Sequence, residues 1–320
     1  MNYKDYIANE NQLYGVREFR LDNDLHQKLL YVYNASGLTL IVNQSRNCDI
    51  SEVKVRGNNI SYLSSVDYDF PSKETHPTHF LSSFLAGFLT TAGLVNIGSE
   101  STYNGKNYYL HGNISKLPTR KSNFFITEEE IIIESETHEA AALSYDLFLK
   151  REVRIGNFKN YILITDKVKN LGNESEIHNI LYHFNFGYPF INENTILNIN
   201  STSVKGRTEL ADKAQEIESF NKLLKPIDGY EERCFYHYFK EKPLIEVINQ
   251  KLNINMRMSF DNSTLTNFIE WKLMAKHNYV LGLEPCSNEI DGIAKLAKEN
   301  KLKMIKPNEE IKYQILIEFN

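Results

Sequence analysis

The chain is poor in several things, and each shortage narrows what it can be. Tryptophan occurs once, at Trp271, and cysteine only at Cys48, Cys234 and Cys286. Three widely separated thiols make neither a disulfide framework nor a metal-ligand pair, and they fit a reducing cytosol. Long apolar runs are missing. None approaches the roughly 18 residues a membrane helix needs, so no membrane partner is expected. The N-terminus lacks a basic start followed by an apolar stretch, so no signal peptide is expected and the location reads as cytoplasmic. Positive charge is not in excess: 36 Lys and Arg face 41 Asp and Glu, for a net charge of −5. Without a dominant basic patch, nucleic acid is not an expected partner. There is no repeat of fixed period, no low-complexity tract and no obvious linker.

Aromatics, by contrast, are plentiful, with 19 Tyr and 18 Phe among 320 residues that are 42% hydrophobic. That length and content suffice for a large core. Short alternating segments rich in β-branched and aromatic residues recur at 14–20, 28–33, 38–42 and 50–55, separated by Asn- and Gly-rich breaks. They resume at 123–126, 130–134, 142–149, 150–155 and 160–168, and again at 279–283 and 311–319. Residues 78–93 space Phe80, Phe84 and Phe88 helically, which suggests a short helix or a buried connection, and 290–300 reads as a second short helix. The charged segment 209–228 reads as a surface excursion. So many strands with so few helical windows predict one all-β domain over residues 1–320, a large sandwich. A division into two domains near residue 120 is the alternative.

Three polar groups stand out inside apolar, aromatic text. His183 lies in Leu181-Tyr-His-Phe-Asn-Phe-Gly-Tyr-Pro189, where alternation puts Leu181, His183 and Asn185 on one face of a strand. His111 precedes Gly112, a residue that allows close backbone approach. Glu284 ends an apolar strand just before Pro285. Each alone is more often a hydrogen-bonded structural group than a functional one. Together they allow two chemistries: a metal site of two His and one carboxylate, or metal-free acid–base catalysis. The close pair His76 and His79 sits in a Pro-containing turn and reads as surface.

In order along the chain, these stretches resemble the aldose 1-epimerase (galactose mutarotase-like) superfamily, and most closely a bacterial branch near the deoxyribose mutarotases. Ser45-Arg-Asn-Cys-Asp-Ile50 is similar to the branch's Asp-Arg-Gly-x-Asp-Ile, and Gly87-Phe-Leu-Thr-Thr-Ala-Gly-Leu94 to its Gly-Leu-x-Thr-Thr-Cys-Gly-Leu. Leu110-His-Gly112 and Gly282-Leu-Glu-Pro285 resemble the superfamily's Leu-His-Gly and its C-terminal glutamate segment. The Asn-Arg segment that precedes Leu-His-Gly in the superfamily is absent, which leaves Arg46 as the candidate substrate-binding arginine.

The resemblance implies a large twisted antiparallel β-supersandwich holding a sugar in an open cleft, as a monomer or homodimer. It implies Glu284 as general base toward the anomeric hydroxyl and His183 as general acid toward the ring oxygen, with substrate contacts from His111, Arg46, Asp49 and Asn185. Ring opening moves one proton off and one on and no electrons, so neither cofactor nor metal is expected. The expected states are an ionised Glu284 and a protonated His183, whose pKa a nearby carboxylate such as Glu284 or Asp49 would raise. A sugar-binding or sensing protein without turnover is the competing reading, and a metal-dependent sugar isomerase or hydrolase is the third.

Overall fold

The computed structural model describes residues 3–22, 27–68 and 79–320. The expected turn around His76 lies outside the described residues. Three large antiparallel sheets, with three two-stranded ones beside them, build the large twisted β-supersandwich anticipated from the sequence. A five-stranded sheet takes the N-terminal hairpins Gly15–Arg20, Lys28–Tyr33, Leu38–Asn43 and Asp49–Val55, with Asn58–Asn59 at its edge. An eight-stranded sheet runs, in spatial order, through Lys121–Ile126, Glu130–Ala140, Asp146–Gly156, Tyr161–Asn170, Glu310–Phe319, Ile254–Phe260, Ile245–Asn249 and Ile196–Ile199. A six-stranded sheet orders Ser203–Gly206, Arg233–Tyr238, Asn267–Met274, Tyr279–Cys286, Asn179–Phe186 and Leu89–Leu94.

Period-2 burial decides which face of each strand meets the core. Glu130–Ala140 alternates buried and half-buried along its whole length, so Ile131 and Ile133 point inward beside Val153, Ile155, Ile162 and Ile164 of its neighbours. Asn179–Phe186 differs, because all eight of its residues are buried. Its Tyr182, Phe184 and Phe186 join the main core, which draws residues from all three sheets. Leu181 belongs to a separate apolar cluster on the opposite face, with Ala92, Ile97, Cys234, Tyr236, Ile269, Cys286 and Ile290. The six-stranded sheet therefore has something to cover on both sides.

The structure amends the expected element boundaries in three places. Among the described residues of 78–93 only His79–Ser82 is helical, and Leu89–Leu94 is a strand buried on both faces. An apolar run covered on both sides carries no period by which to tell helix from strand. Residues 142–155, read as two strands, hold one, Asp146–Gly156. Strands Arg233–Tyr238, Ile245–Asn249, Ile254–Phe260 and Asn267–Met274 were not anticipated. In the last of these, inward positions carry Glu270 and Lys272, which spoils the apolar alternation. They are compensated inside: His237 Nε2 lies 3.1 Å from Glu270 Oε2, and Lys272 Nζ 3.6 Å from Glu270 Oε1. Lys272 Nζ also donates to the backbone carbonyls of Ser219, Phe220 and Lys222, tying down the 209–228 excursion. That excursion contains the short helix Ala214–Glu218. The helix expected at 290–300 is present as Ile293–Lys298.

Between the sheets lies a buried ionic cluster. Arg151 donates from Nε and Nη2 to both oxygens of Asp166 at 2.9 and 2.7 Å, and from Nη1 to Asp49 Oδ1 at 2.6 Å. Tyr182 donates its hydroxyl to Asp166 at 2.8 Å, and Thr91 donates its hydroxyl to Asp49 at 2.6 Å. Arg151 is 1% exposed and Asp166 is fully buried. Taking one partner from such a cluster strands charge in a dry interior. Arg151→Ala is expected to cost about 3–5 kcal/mol of unfolding free energy, read by denaturant titration. Arg154→Ala, which removes a partly exposed arginine paired with Glu130 and Glu152, should cost about 1 kcal/mol or less.

Candidate active site

The site grows out of one register. Asn179–Phe186 and Tyr279–Cys286 pair antiparallel with Leu181 opposite Cys286 and Phe184 opposite Leu283, so His183 stands directly across from Glu284. Residues opposed in an antiparallel pair send their side chains to the same face, about 5 Å apart at Cβ. Here His183 Nε2 and Glu284 Oε1 are 3.3 Å apart, and the residues are 5% and 3% exposed. On the next strand Ile269 opposes Glu284 and Trp271 opposes Gly282, and one strand further Cys234 opposes Trp271. His183, Glu284, Trp271 and Cys234 floor a cavity of about 400 Å³. Its walls include Tyr62, Phe80, Phe84, His111, Arg207 and Glu232.

Gly282 is what lets the floor close up. A Cβ there would meet Glu284 Oε1 at 2.7 Å and the Trp271 ring at 3.0 Å, so the missing side chain is the seat on which both rest. His111 is held in the left-handed region at φ 56°, followed by Gly112 at φ 69°. A Cβ on Gly112 would run into the Gly93 and Asn96 carbonyl oxygens at 2.4 and 2.5 Å. This tight turn packs His111 against Phe80, with ring centroids 4.7 Å apart, and edge-on to His183 at 5.7 Å. His111 Nδ1 donates to the Ile97 carbonyl at 2.7 Å. A carbonyl only accepts, so the proton sits on Nδ1 and Nε2 keeps a lone pair. Burial lowers the His111 pKa to about 4 and the ring is neutral.

Burial also governs the central pair, and it reverses the expected protonation. Desolvation raises the Glu284 pKa to about 8, helped by the negative charge of Glu232 and opposed by Arg207. The His183 pKa is pushed well below the usual imidazole value, first by desolvation and then by the neighbouring His111, while Asn185 works the other way. Both shifts favour the neutral forms, a carboxylic acid and an uncharged imidazole. These shifts run against the expected pairing of an ionised Glu284 with a protonated His183, because exclusion of water penalises both charges. One proton resides in the pair either way, and a 3.3 Å contact allows it to move between them.

Of the remaining expected contacts, His111 reaches the cavity and the others do not line it. Arg46 is buried behind the wall, donating from Nε to the Ser115 carbonyl at 3.3 Å and from Nη2 to the Ser83 carbonyl at 2.5 Å. Asp49 faces the opposite side, in the Arg151 cluster. Asn185 donates to the His183 carbonyl at 2.8 Å and lies beside the imidazole rather than in the cavity. All three sit in matching motifs, and residue type within a motif does not tell which side of a strand or loop meets the cavity. The arginine in the cavity is Arg207, whose Nε donates to Asp291 at 3.0 Å and whose Nη2 donates to the Ser99 hydroxyl at 2.7 Å. Arg207 and Glu232, which flank the 209–228 excursion, carried no sequence signal. Trp271 did have one, being the chain's single tryptophan. Among the described residues no group of three or more His, Cys, Asp and Glu has metal-holding geometry.

Comparison with solved structures places the architecture. A provisionally assigned aldose 1-epimerase from Klebsiella pneumoniae superposes with a TM-score of 0.87 at 19% identity, over 96% of this chain and 83% of that one. A galactose mutarotase-like protein from Clostridium acetobutylicum gives 0.67 at 15% identity, over 97% and 99%. The galactose 1-epimerase of Lactobacillus acidophilus gives 0.61 at 12%, over 96% and 98%. At these identities the likeness establishes the fold. No curated protein sequence matches the chain. A family model described as "Domain of unknown function (DUF4432)" matches residues 26–319.

Two outcomes follow from the packing and the proton balance. Gly282→Ala must displace Glu284 and Trp271, so a shifted tryptophan emission and a stability loss of about 1–3 kcal/mol are expected. Glu284 binds its proton more tightly folded than unfolded, so its contribution to stability is full below the unfolded pKa and is lost as pH rises toward about 8. Glu284→Gln, which cannot titrate, should show a smaller fall in stability between pH 5 and 9 than the parent, read by denaturant titration across that range.

Proposed function

We propose, for a chain that belongs to the DUF4432 family and has the galactose mutarotase-like fold, that it is an aldose mutarotase, interconverting the α and β anomers of a sugar by acid–base ring opening. The observation that carries this reading is the His183–Glu284 pair, opposed at 3.3 Å over a cavity of about 400 Å³. A cavity of this size is at the small end of ordinary small-molecule sites and suits a monosaccharide.

The chemistry needs one group that gives a proton and one that takes it. In the resting state Glu284 carries the proton and His183 is the acceptor. Glu284 would protonate the ring oxygen while His183 removes the anomeric hydroxyl proton. The C1–O5 bond then breaks, the C1–C2 bond rotates, and closure on the other face returns both protons. Transfer of the proton across the pair before substrate reacts gives the charged form, with the roles exchanged and the same products. His111 Nε2, a bare acceptor at the cavity wall, would take a hydrogen bond from a sugar hydroxyl and help fix the ring. The chain supplies every group in this scheme, and the pair ends each turnover in the form in which it began.

Anomer exchange followed by NMR or polarimetry on a panel of aldoses tests the assignment. His183→Ala and Glu284→Ala should each lower kcat by about 10²–10⁴-fold. Exchange unchanged in both variants would falsify it, and saturable sugar binding without exchange in the parent would favour the sensing reading instead. The ratio kcat/KM should fall as pH rises through about 8, where Glu284 loses its proton. That limb should vanish in Glu284→Gln, whose residual activity should be flat there.

A further inference from the structure

The acid–base scheme leaves the most distinctive side chain of the cavity unused. Trp271 is half-buried, lines the cavity and stands edge-on to His183, with ring centroids 5.4 Å apart and planes at 80°. It is held on several sides. Gly282, opposite it in the sheet, has no side chain to lift the ring, and a Cβ there would lie 3.0 Å from Trp271 Cε3. Its Nε1 donates to Glu232 Oε2 at 2.8 Å. Glu232 lies two residues before Cys234, the residue that pairs with Trp271 in the next strand. An indole fixed in this way is ordered before any ligand arrives, and a rigid aromatic surface is what the C–H face of a sugar ring packs against.

The charges around it restrict the ligand further. Among the described residues that line the cavity, Arg207 is the one lysine or arginine. Its guanidinium is already engaged by Asp291 and Ser99. Glu232 is exposed, and its negative charge is felt as deep as Glu284. A phosphate group needs cationic or bidentate donors and is repelled by a carboxylate. We propose that Trp271 is the platform on which the sugar lies, that Glu232 is the positioning residue that fixes the indole, and that the pair selects an uncharged aldose over its phosphate ester. This rests on the mutarotase reading for the site, but it is testable by binding alone.

Because Trp271 is the only tryptophan, its emission reports on the site without a label. The full chain is titrated with D-glucose, D-galactose and 2-deoxy-D-ribose and with the terminal phosphate of each. At least one free aldose should shift the emission saturably, and its phosphate should bind about tenfold more weakly or worse. In exchange assays Trp271→Ala should raise KM about tenfold with kcat within about threefold, and Trp271→Phe should recover most of that loss. Glu232→Gln drops the charge, so the ratio of phosphate-ester to free-aldose dissociation constants should shrink at least about threefold. A parental KM in Trp271→Ala, or a phosphate ester bound as tightly as its parent sugar, overturns the proposal while leaving the mutarotase reading intact. Saturable emission shifts without any anomer exchange uphold the proposal and sink that reading. Silence toward every sugar in the panel sinks both.

Discussion

Everything at the cavity depends on one cross-strand pairing. His183 and Glu284 come from segments a hundred residues apart, yet the register of two interior strands sets them face to face within 3.3 Å. Neither strand lies at a sheet edge, so both are pinned from both sides: Asn179–Phe186 between Leu89–Leu94 and Tyr279–Cys286, and Tyr279–Cys286 between that strand and Asn267–Met274. A slip of one residue would send His183 into the aromatic core and bring Phe184 into the cavity, which burial on both faces forbids. The geometry of the pair is thus inherited from the packing of the whole sheet and does not depend on loops.

The same sheet explains why its polar groups behave as they do. On its core side the Arg151 cluster reaches Thr91 and Tyr182, residues that oppose each other in neighbouring strands. On its cavity side the pair is just as dry, but among the described residues no lysine or arginine forms an ion pair with it, and Arg207 acts on Glu284 from a distance. A carboxyl that meets only an imidazole keeps its proton, because a neutral hydrogen-bonded pair needs less solvation than two separated charges. Burial pushes up both the Glu284 carboxyl on the cavity side and the Asp49 carboxyl on the core side, and at Asp49 the direct contact with Arg151 opposes the rise.

Much of this was legible in the sequence. The N-terminal hairpins, the long strands of the eight-stranded sheet and the all-β class followed from period-2 alternation. His111, His183 and Glu284 were singled out as polar residues in apolar text, and the structure brings them to one hollow. Strand Asn267–Met274 was missed because Glu270 and Lys272 point inward and satisfy one another, a compensation that no single-strand pattern records. Arg46, Asp49 and Asn185 sat in matching motifs, but their side chains serve the scaffold. Arg207 and Glu232 lie beside an irregular charged excursion, where periodicity says nothing.

The sequence by itself determined the local conformations, the inward and outward faces of most strands, and which residue types could carry proton chemistry, because these depend on neighbours along the chain. Tertiary structure alone decided that residues 183 and 284 oppose each other, that Trp271 rests on Gly282, that Arg207 rather than Arg46 enters the cavity, and that burial pushes the Glu284 carboxyl up. Each of these depends on contacts between distant segments and on the exclusion of water, and neither is encoded in the spacing of residues along one strand.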